Sequence, residues 1–372
     1  MTRVRSSTFH PAHRKRERVS RVAPAAAVAD ASSDSSTNVG GVVLAGVHQW
    51  GGCALDQACP RPLLPVANRP IVTYSIDWLR KSGIRGLAVC ANSHTRMIRK
   101  HLRGHPWDEM TIDYYEDTMP RGPAGCVKDA WFNGEIQTMV VMDGTTVPRC
   151  DLWDLMTAHE ASEAVLTVVV ASGQSPGRAH QEVLVPTGIY VFSKSALDYV
   201  SGTGYQDIKE KLIPALYAAK QPVVAYRSEL PVPRVSGVDS YLAVSDWMLR
   251  KLLEHSQVSA EYRRIGEAWV HRSTKVDGSA ELIGPILIGP GGTLGEGVTI
   301  VGPTSLGSRV VVEDRTVICR SSIWNRCSVG SQSLLDRCIL THRVEVQPEA
   351  RVRGKVCTET NGCSSLFSKL RP

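Results

Sequence analysis

The chain has 372 residues, of which 42% are hydrophobic and 21% are charged, a composition typical of a globular protein with room for two domains. No segment approaches the roughly 20 consecutive apolar residues of a membrane-spanning helix, which argues against a membrane protein. Residues 1–38 contain no apolar core of a secretory signal, so we do not expect them to form one. The formal net charge is +7, and seven basic and three acidic residues lie within residues 1–38. The excess charge therefore belongs mainly to this tail, which favours a solvated basic arm over a nucleic-acid partner.

Ten cysteines are scattered through the sequence. They form no CxxC pair and no Cys/His cluster with the spacing of a metal site. Several stand in apolar strand patterns, where cysteine acts as a small hydrophobic residue. A reducing compartment is the simplest interpretation, and we expect a cytoplasmic protein.

Residues 1–38 are rich in Arg, Ser and Ala and are expected to form a disordered basic tail. From residue 39 to 250, strand patterns alternate with helix patterns. Predicted strands lie at 42–44, 87–90, 111–115, 138–142, 164–170, 183–192 and 223–226. Predicted helices lie at 71–82, 95–102, 151–161, 207–219 and from 239 toward 255, and a glycine-containing loop leads into a further helix within 121–132. Such alternation predicts an α/β domain with a Rossmann-like, doubly wound and mostly parallel sheet. Pro214 lies inside one predicted helix and should kink or break it.

The last part of the chain is a repeat. Aliphatic residues recur at every sixth position through Val270, Val276, Leu282, Ile288, Leu294, Ile300, Leu306, Val312 and Ile318, and resume after a one-residue slip at Ile323, Val329 and Leu335. This period matches no α-helix and is typical of a parallel β-helix, with an irregular β-rich domain as the alternative. We therefore expect a linker helix over 251–264, a left-handed β-helix of hexapeptide repeats over 265–350, and a flexible tail over 351–372.

A strand followed by a glycine-containing loop opens the first domain. The apolar run 42–44 is bounded by glycines and leads through the loop into the helix predicted at 71–82. This arrangement can present backbone N–H groups to a phosphate, although a glycine after a strand can also mark a simple turn.

Four segments carry a resemblance. The sequence LAG (44–46), followed by PLLPVANRPI (62–71), resembles the N-terminal signature of the sugar-phosphate nucleotidyltransferases, and GPAG (122–125) and TGIY (187–190) resemble their nucleotide- and sugar-binding segments. That family transfers a nucleotidyl group from a nucleoside triphosphate to a sugar 1-phosphate and releases pyrophosphate. The resemblance implies that Leu44, Ala45, Gly46, Gly122 and Gly125 bind the nucleotide, that Asp143, Gly188 and Tyr190 bind the sugar, that Asp143 also binds Mg²⁺, and that Arg61 is catalytic.

Several charged positions of the family pattern are altered. Gly51 stands at the position of the family's loop arginine, and Arg61 at that of its lysine before PLLPV. Arg234, seven residues before Tyr241, stands at that of the second metal-binding aspartate. An arginine cannot ligate Mg²⁺.

Two hypotheses follow from this altered signature. The chain is a divergent enzyme of nucleotide-sugar metabolism, or a non-catalytic relative that binds nucleotide sugar or regulates other chains. For either, the expected ligand is a nucleotide or nucleotide sugar, and the expected assembly is a homo-oligomer formed through the β-helix.

Overall fold

The computed structural model describes residues 38–46, 54–91, 94–105, 107, 109–116, 121–131, 136–175, 178–254, 258–360 and 362–365. The predicted disordered tail up to residue 37 and the loop 47–53, which includes Gly51, lie outside the described residues. No helix in the described ranges is long and apolar enough to cross a membrane.

The first domain contains nine strands and seven α-helices among the described residues. The strands are β1 (Val39–Leu44), β2 (Pro65–Val66), β3 (Arg69–Pro70), β4 (Gly86–Cys90), β5 (Thr111–Tyr115), β6 (Thr138–Asp143), β7 (Leu166–Ser175), β8 (Arg178–Ser193) and β9 (Val223–Arg227). The helices are α1 (Ala54–Ala58), α2 (Val72–Lys81), α3 (Thr95–Leu102), α4 (Gly122–Ala130), α5 (Leu152–Ala161), α6 (Ile213–Ala218) and α7 (Val238–Glu254). A π-helical turn over Ile208–Leu212 directly precedes α6, so the helix predicted at 207–219 changes character just before Pro214, as expected.

Seven of these strands form one sheet in the order β5-β4-β1-β6-β8-β7-β9. Every pairing is parallel except those of β8, which runs antiparallel to both neighbours. Successive residues of β1 point to opposite faces, so that Val42 and Val43 enter separate hydrophobic clusters. Burial on both faces explains why β1 reads as a continuous apolar run, and the predicted doubly wound sheet is confirmed.

The second domain is a parallel β-helix with three faces. The first face contains β11 (Ala268–His271), β14 (Ile286–Ile288), β17 (Thr304–Leu306), β20 (Ser322–Ile323), β23 (Ile339–Leu340) and β26 (Lys355–Thr358). The second contains β12 (Lys275–Val276), β15 (Thr293–Leu294), β18 (Val311–Val312), β21 (Ser328–Val329) and β24 (Glu345–Val346). The third contains β13 (Glu281–Ile283), β16 (Thr299–Val301), β19 (Val317–Cys319), β22 (Leu334–Asp336) and β25 (Arg351–Arg353). At its two ends the first face gains antiparallel strands β10 (Tyr262–Ile265) and β27 (Gly362–Ser365).

The aliphatic ladder fills the centre of the β-helix. Ile288, Leu294 and Ile300 are almost completely buried, and Leu282 packs against the same cluster. Ile288 pairs with Leu306, 18 positions on, whereas Leu306 pairs with Ile323, 17 positions on. The slip noted in the sequence is therefore a corner that is one residue shorter in the later coils.

Two predicted boundaries are wrong. The repeat does not end at 350, because β25 and β26 continue the coils to Thr358, so the predicted flexible tail over 351–372 contains folded β-structure. Val352 and Cys357 occupy the next inward positions of the ladder, which explains the continuation. The predicted linker helix over 251–264 is present only in its first part: α7 continues to Glu254, whereas Tyr262–Ile265 is strand β10. Cys357 is disulfide-bonded, which the sequence analysis did not predict.

The first face of the β-helix packs against the α/β domain. Leu287, Trp324 and Ile339 share a hydrophobic cluster with Leu64 and Tyr241. The Asn68 side chain donates a hydrogen bond to the Leu306 carbonyl at 2.7 Å. The β-helix thus packs directly against the segment around Leu64 and Asn68, which follows the glycine loop.

Candidate functional site

The carboxyl ends of β1 and β6 define a crevice at the point where the strand order reverses. The chain passes from β1 outward through β4 and β5 and then returns to β6 on the other side of β1. Leu44 and Asp143 are direct neighbours in the β1–β6 pairing. Open α/β sheets bind ligands at such a switch point. The predicted nucleotide segment Leu44–Gly46 and the predicted sugar and metal residue Asp143 therefore lie together, although the amide of Ala45 already donates to the Cys90 carbonyl at 2.7 Å.

Arg234 is held against this crevice by a short backbone pairing. Val147 N donates to the Pro233 carbonyl at 2.8 Å, and Val235 N donates to the Thr145 carbonyl at 3.0 Å. These two bonds flank Arg234 and place it beside the end of β6. Its Nη2 forms an ion pair and a hydrogen bond with Oδ2 of Asp143. Counting from Tyr241 had aligned Arg234 with a metal-binding acid, and the structure brings the two positions into contact.

The other oxygen of Asp143 is also occupied. Oδ1 accepts hydrogen bonds from Thr145 N at 2.9 Å and from Thr145 Oγ1 at 2.6 Å. Both carboxylate oxygens are therefore engaged by protein donors. The Asp143 and Arg234 side chains are 27% and 36% exposed, which leaves the pair accessible from the crevice.

The absence of a side chain at Gly188 leaves room for the ion pair between Asp143 and Arg234. The φ of Gly188 is +89°, and a Cβ at this position would lie 3.0 Å from Asp143 Cβ and 3.7 Å from Arg234 Cζ. Both the backbone conformation and the close approach require glycine here. The predicted sugar-binding residues Asp143 and Gly188 are thus in contact.

Tyr190 lies two residues further along β8 and is 5% exposed. Burial raises the pKa of its hydroxyl to about 12, with Arg234 lowering and Asp143 raising that pKa to smaller extents. Tyr190 therefore stays protonated at neutral pH and belongs to the same electrostatic environment as the ion pair. A protonated phenol can donate to or accept from a sugar hydroxyl.

The two predicted glycines of α4 have packing roles of their own. Gly122 has a φ of +73°, and a Cβ there would lie 2.6 Å from the Gln206 carbonyl oxygen. The amide of Ala124 donates to that same oxygen at 3.0 Å. A Cβ on Gly125 would lie 2.8 Å from the Cβ of Arg121. The Gln206 carbonyl, just before the π-helical turn, thus already accepts one of the backbone N–H groups at the start of α4.

Arg61, predicted to be catalytic, is half-buried on the short 3₁₀ turn before β2. Its Nε lies 3.5 Å from Oδ1 of Asp56 on α1, and the side chains are 14% and 9% exposed. Arg61 is therefore engaged by a nearby acid that the sequence analysis did not single out. Its catalytic role stays a prediction.

The side chains around Asp143 do not fit a divalent metal ion. Mg²⁺ takes oxygen ligands, and protein sites supply one or two carboxylates. Asp143 offers one carboxylate here, and both of its oxygens already accept hydrogen bonds, from Thr145 and from Arg234. The cation next to Asp143 is the guanidinium of Arg234.

Sequence reasoning predicted residues that the structure brings together at this crevice, but it did not predict the ion pair and hydrogen bonds between them. Thr145 and Asp56 carried no motif signal, because their partners are defined only by the folded chain. The Arg234–Asp143 contact could have been inferred, since Arg234 had been aligned with a residue that should share a ligand with Asp143. The altered loop position Gly51 lies outside the described residues.

Comparison with known proteins supports the same assignment. The family model for nucleotidyl transferases matches residues 54–178. The UTP–glucose-1-phosphate uridylyltransferase of Synechocystis sp. is 22% identical over 314 residues, covering 74% of this chain and 80% of the relative. The mannose-1-phosphate guanylyltransferase of Mycobacterium tuberculosis is 23% identical over 268 residues (67% and 74%), and mannose-1-phosphate guanylyltransferase 1 of Arabidopsis thaliana is 21% identical over 329 residues (80% and 84%). With the fold and the switch-point crevice, these similarities support the resemblance to the sugar-phosphate nucleotidyltransferase family.

Proposed function

We propose that this chain binds a nucleotide or nucleotide sugar in the switch-point crevice, with weak or absent turnover. The crevice lies at the switch point of the sheet, where open α/β sheets bind ligands. The observation that carries the proposal is the pairing of Asp143, whose two oxygens are engaged by Arg234 and Thr145.

The pairing weakens catalysis more than binding. Nucleotidyl transfer depends on positioning and on neutralising charge that develops on the reacting phosphates. A family metal site supplies a doubly charged ion for this purpose, whereas Arg234 supplies one charge that Asp143 already balances. Removing a single group that stabilises a transition state typically costs a hundredfold or more in rate. Binding through backbone N–H groups needs no such ion.

The test is a pyrophosphate-release assay beside a binding assay on the same preparation. Nucleoside triphosphates are paired with glucose 1-phosphate and mannose 1-phosphate in the presence of Mg²⁺. Calorimetry with UDP-glucose and GDP-mannose measures binding directly. Binding without measurable pyrophosphate release supports the proposal. Rapid, Mg²⁺-dependent release would show instead an ordinary enzyme of the family.

We also propose that the protein forms a homo-oligomer through the third face of the β-helix. The outer side of the first face is occupied by the α/β domain, whereas Ile283 and Leu334 on the third face are 52% and 40% exposed. Half-buried Val317 and Cys319 extend the same apolar surface. A second copy of this surface would cover it.

Light scattering of Leu334→Glu tests this assembly. Val311→Glu on the second face is the matched control, because both residues are 40% exposed. Dissociation by Leu334→Glu alone is the expected result. A monomeric wild-type protein at micromolar concentration would contradict the proposal.

A further inference from the structure

Arg234 has hydrogen-bond donors to spare. A guanidinium carries five N–H groups. Within the described part of the chain, its side chain makes one hydrogen bond, to Asp143, and its Nε is buried without a partner. The remaining donors belong to a side chain that is 36% exposed and lies against Gly188. Arg234 therefore has N–H donors left for an anionic ligand while it stays paired with Asp143.

The Asp143–Arg234 ion pair has the same net charge as the metal site that the family pattern implies. Two carboxylates holding one divalent ion are neutral as a set, and so is one carboxylate beside one guanidinium. The difference lies in the cation, which is exchangeable in the first case and covalently attached in the second. A divalent ion approaching Asp143 would meet one carboxylate and be repelled by Arg234. The structure therefore disfavours metal at the place where the family pattern has it.

We propose that Arg234 takes the place of the divalent ion, so that the crevice binds the diphosphate group of a nucleotide sugar without metal. The inference rests on the proposed function and adds to it which residue holds the ligand and how. Guanidinium groups bind phosphate oxygens through two parallel N–H bonds, which supplies orientation as well as charge. Arg61 is less suited to this role because it is 14% exposed and paired with Asp56.

Calorimetry with GDP-mannose and UDP-glucose tests the inference, in EDTA and again with millimolar Mg²⁺. The wild-type Kd should be the same in both buffers. Arg234→Ala should weaken binding roughly ten- to hundredfold, the loss expected for a charged hydrogen-bonding group. Arg234→Lys keeps the positive charge but cannot form two parallel N–H bonds, so it should weaken binding less than Arg234→Ala. Arg250→Ala is the matched control, because Arg250 forms an Arg–Asp pair with Asp246 on α7 and is exposed.

Arg234→Asp supplies an independent readout, since it creates a second carboxylate beside Asp143. Electron paramagnetic resonance of added Mn²⁺, without nucleotide, should show a bound ion in this variant and none at this site in the wild type. Nucleotide-sugar binding by the variant should then require Mg²⁺.

The outcomes separate the two claims. Wild-type binding that needs Mg²⁺, or that survives Arg234→Ala unchanged, would overturn the role of Arg234 and leave the proposed function standing. Wild-type binding of neither probe in either buffer would overturn both. A Mn²⁺ ion held by wild-type Asp143 would also overturn the metal-free site.

Discussion

The hydroxyl of Tyr241 connects the two domains, and its removal should be costly. This residue is completely buried on α7. Its hydroxyl bonds to the Pro65 carbonyl, lies 2.9 Å from Ser322 Oγ, and accepts the Trp324 indole N–H at 2.9 Å. One oxygen atom thus serves the α/β domain on one side and the β-helix on the other.

Tyr241→Phe would remove this oxygen and keep the ring. A buried donor or acceptor left without its partner costs about 1–3 kcal/mol. The Trp324 indole N–H, on a side chain that is 2% exposed, and the Pro65 carbonyl both lose their partner. Because Pro65 is only half-buried, water can partly replace the hydroxyl there. We therefore expect a loss of about 2–4 kcal/mol in the free energy of unfolding.

Urea denaturation followed by tryptophan fluorescence measures this loss. Tyr217→Phe is the matched control, because Tyr217 is 55% exposed on α6 and its hydroxyl can remain hydrated. Surface substitutions usually change stability by no more than about 0.5 kcal/mol. A Tyr241→Phe variant within that range would refute the argument that the shared hydroxyl holds the domains together.

Three further predictions concern stability. Gly188→Ala should cost about 1–2 kcal/mol for the left-handed backbone alone and more for the contact with Asp143. Urea denaturation of Gly204→Ala is the control, because Gly204 has a φ of +71° with nothing within 4 Å of its Cβ position. The additional loss of stability in Gly188→Ala then measures the contact with Asp143. Ile300→Ala, in the β-helix centre, should cost about 2–5 kcal/mol by the same measurement, and Ile283→Ala, 52% exposed, should cost far less. Burial lowers the pKa of His159 to about 4, so the unfolded chain takes up a proton below about pH 6.5 and the folded chain does not. Stability should therefore fall by on the order of 3 kcal/mol as the pH drops from 6.5 to 4, and the unfolding free energy of His159→Gln should change less over that range.

The sequence predicted most of the architecture because two periodicities dominate it. The strand–helix alternation gave the doubly wound sheet, and the six-residue period gave the β-helix, since inward positions must be apolar in every coil. The boundary at 350 was wrong because the one-residue slip recurs in each later coil, which moves the inward positions to Leu340, Val352 and Cys357. The outward residues Arg351 and Arg353 of the last coil are also polar. Val352 and Cys357 nevertheless lie at inward positions in the hydrophobic cluster of the β-helix.

The site was less predictable than the fold. Motif spacing identified Asp143, Gly188 and Tyr190, which the structure brings together. Spacing along the chain could not show that Thr145 takes one oxygen of Asp143, or that Asp56 engages Arg61, because those contacts depend on side-chain direction after folding. It also treated Arg234 only as a lost acid, whereas the folded chain makes it a new cation.

A family signature can persist without its chemistry when the residues that form it also carry packing. Gly122 accommodates the Gln206 carbonyl, and Gly188 accommodates Asp143. Each glycine would be required by the fold even if no ligand ever entered the crevice. Their presence therefore indicates the shape of the site and says nothing about turnover. Arg234 is different, because the two backbone hydrogen bonds that place it beside Asp143 do not depend on the charge of its side chain. The charges facing Asp143, rather than the glycine pattern, should accordingly decide between an enzyme and a binding protein on this fold.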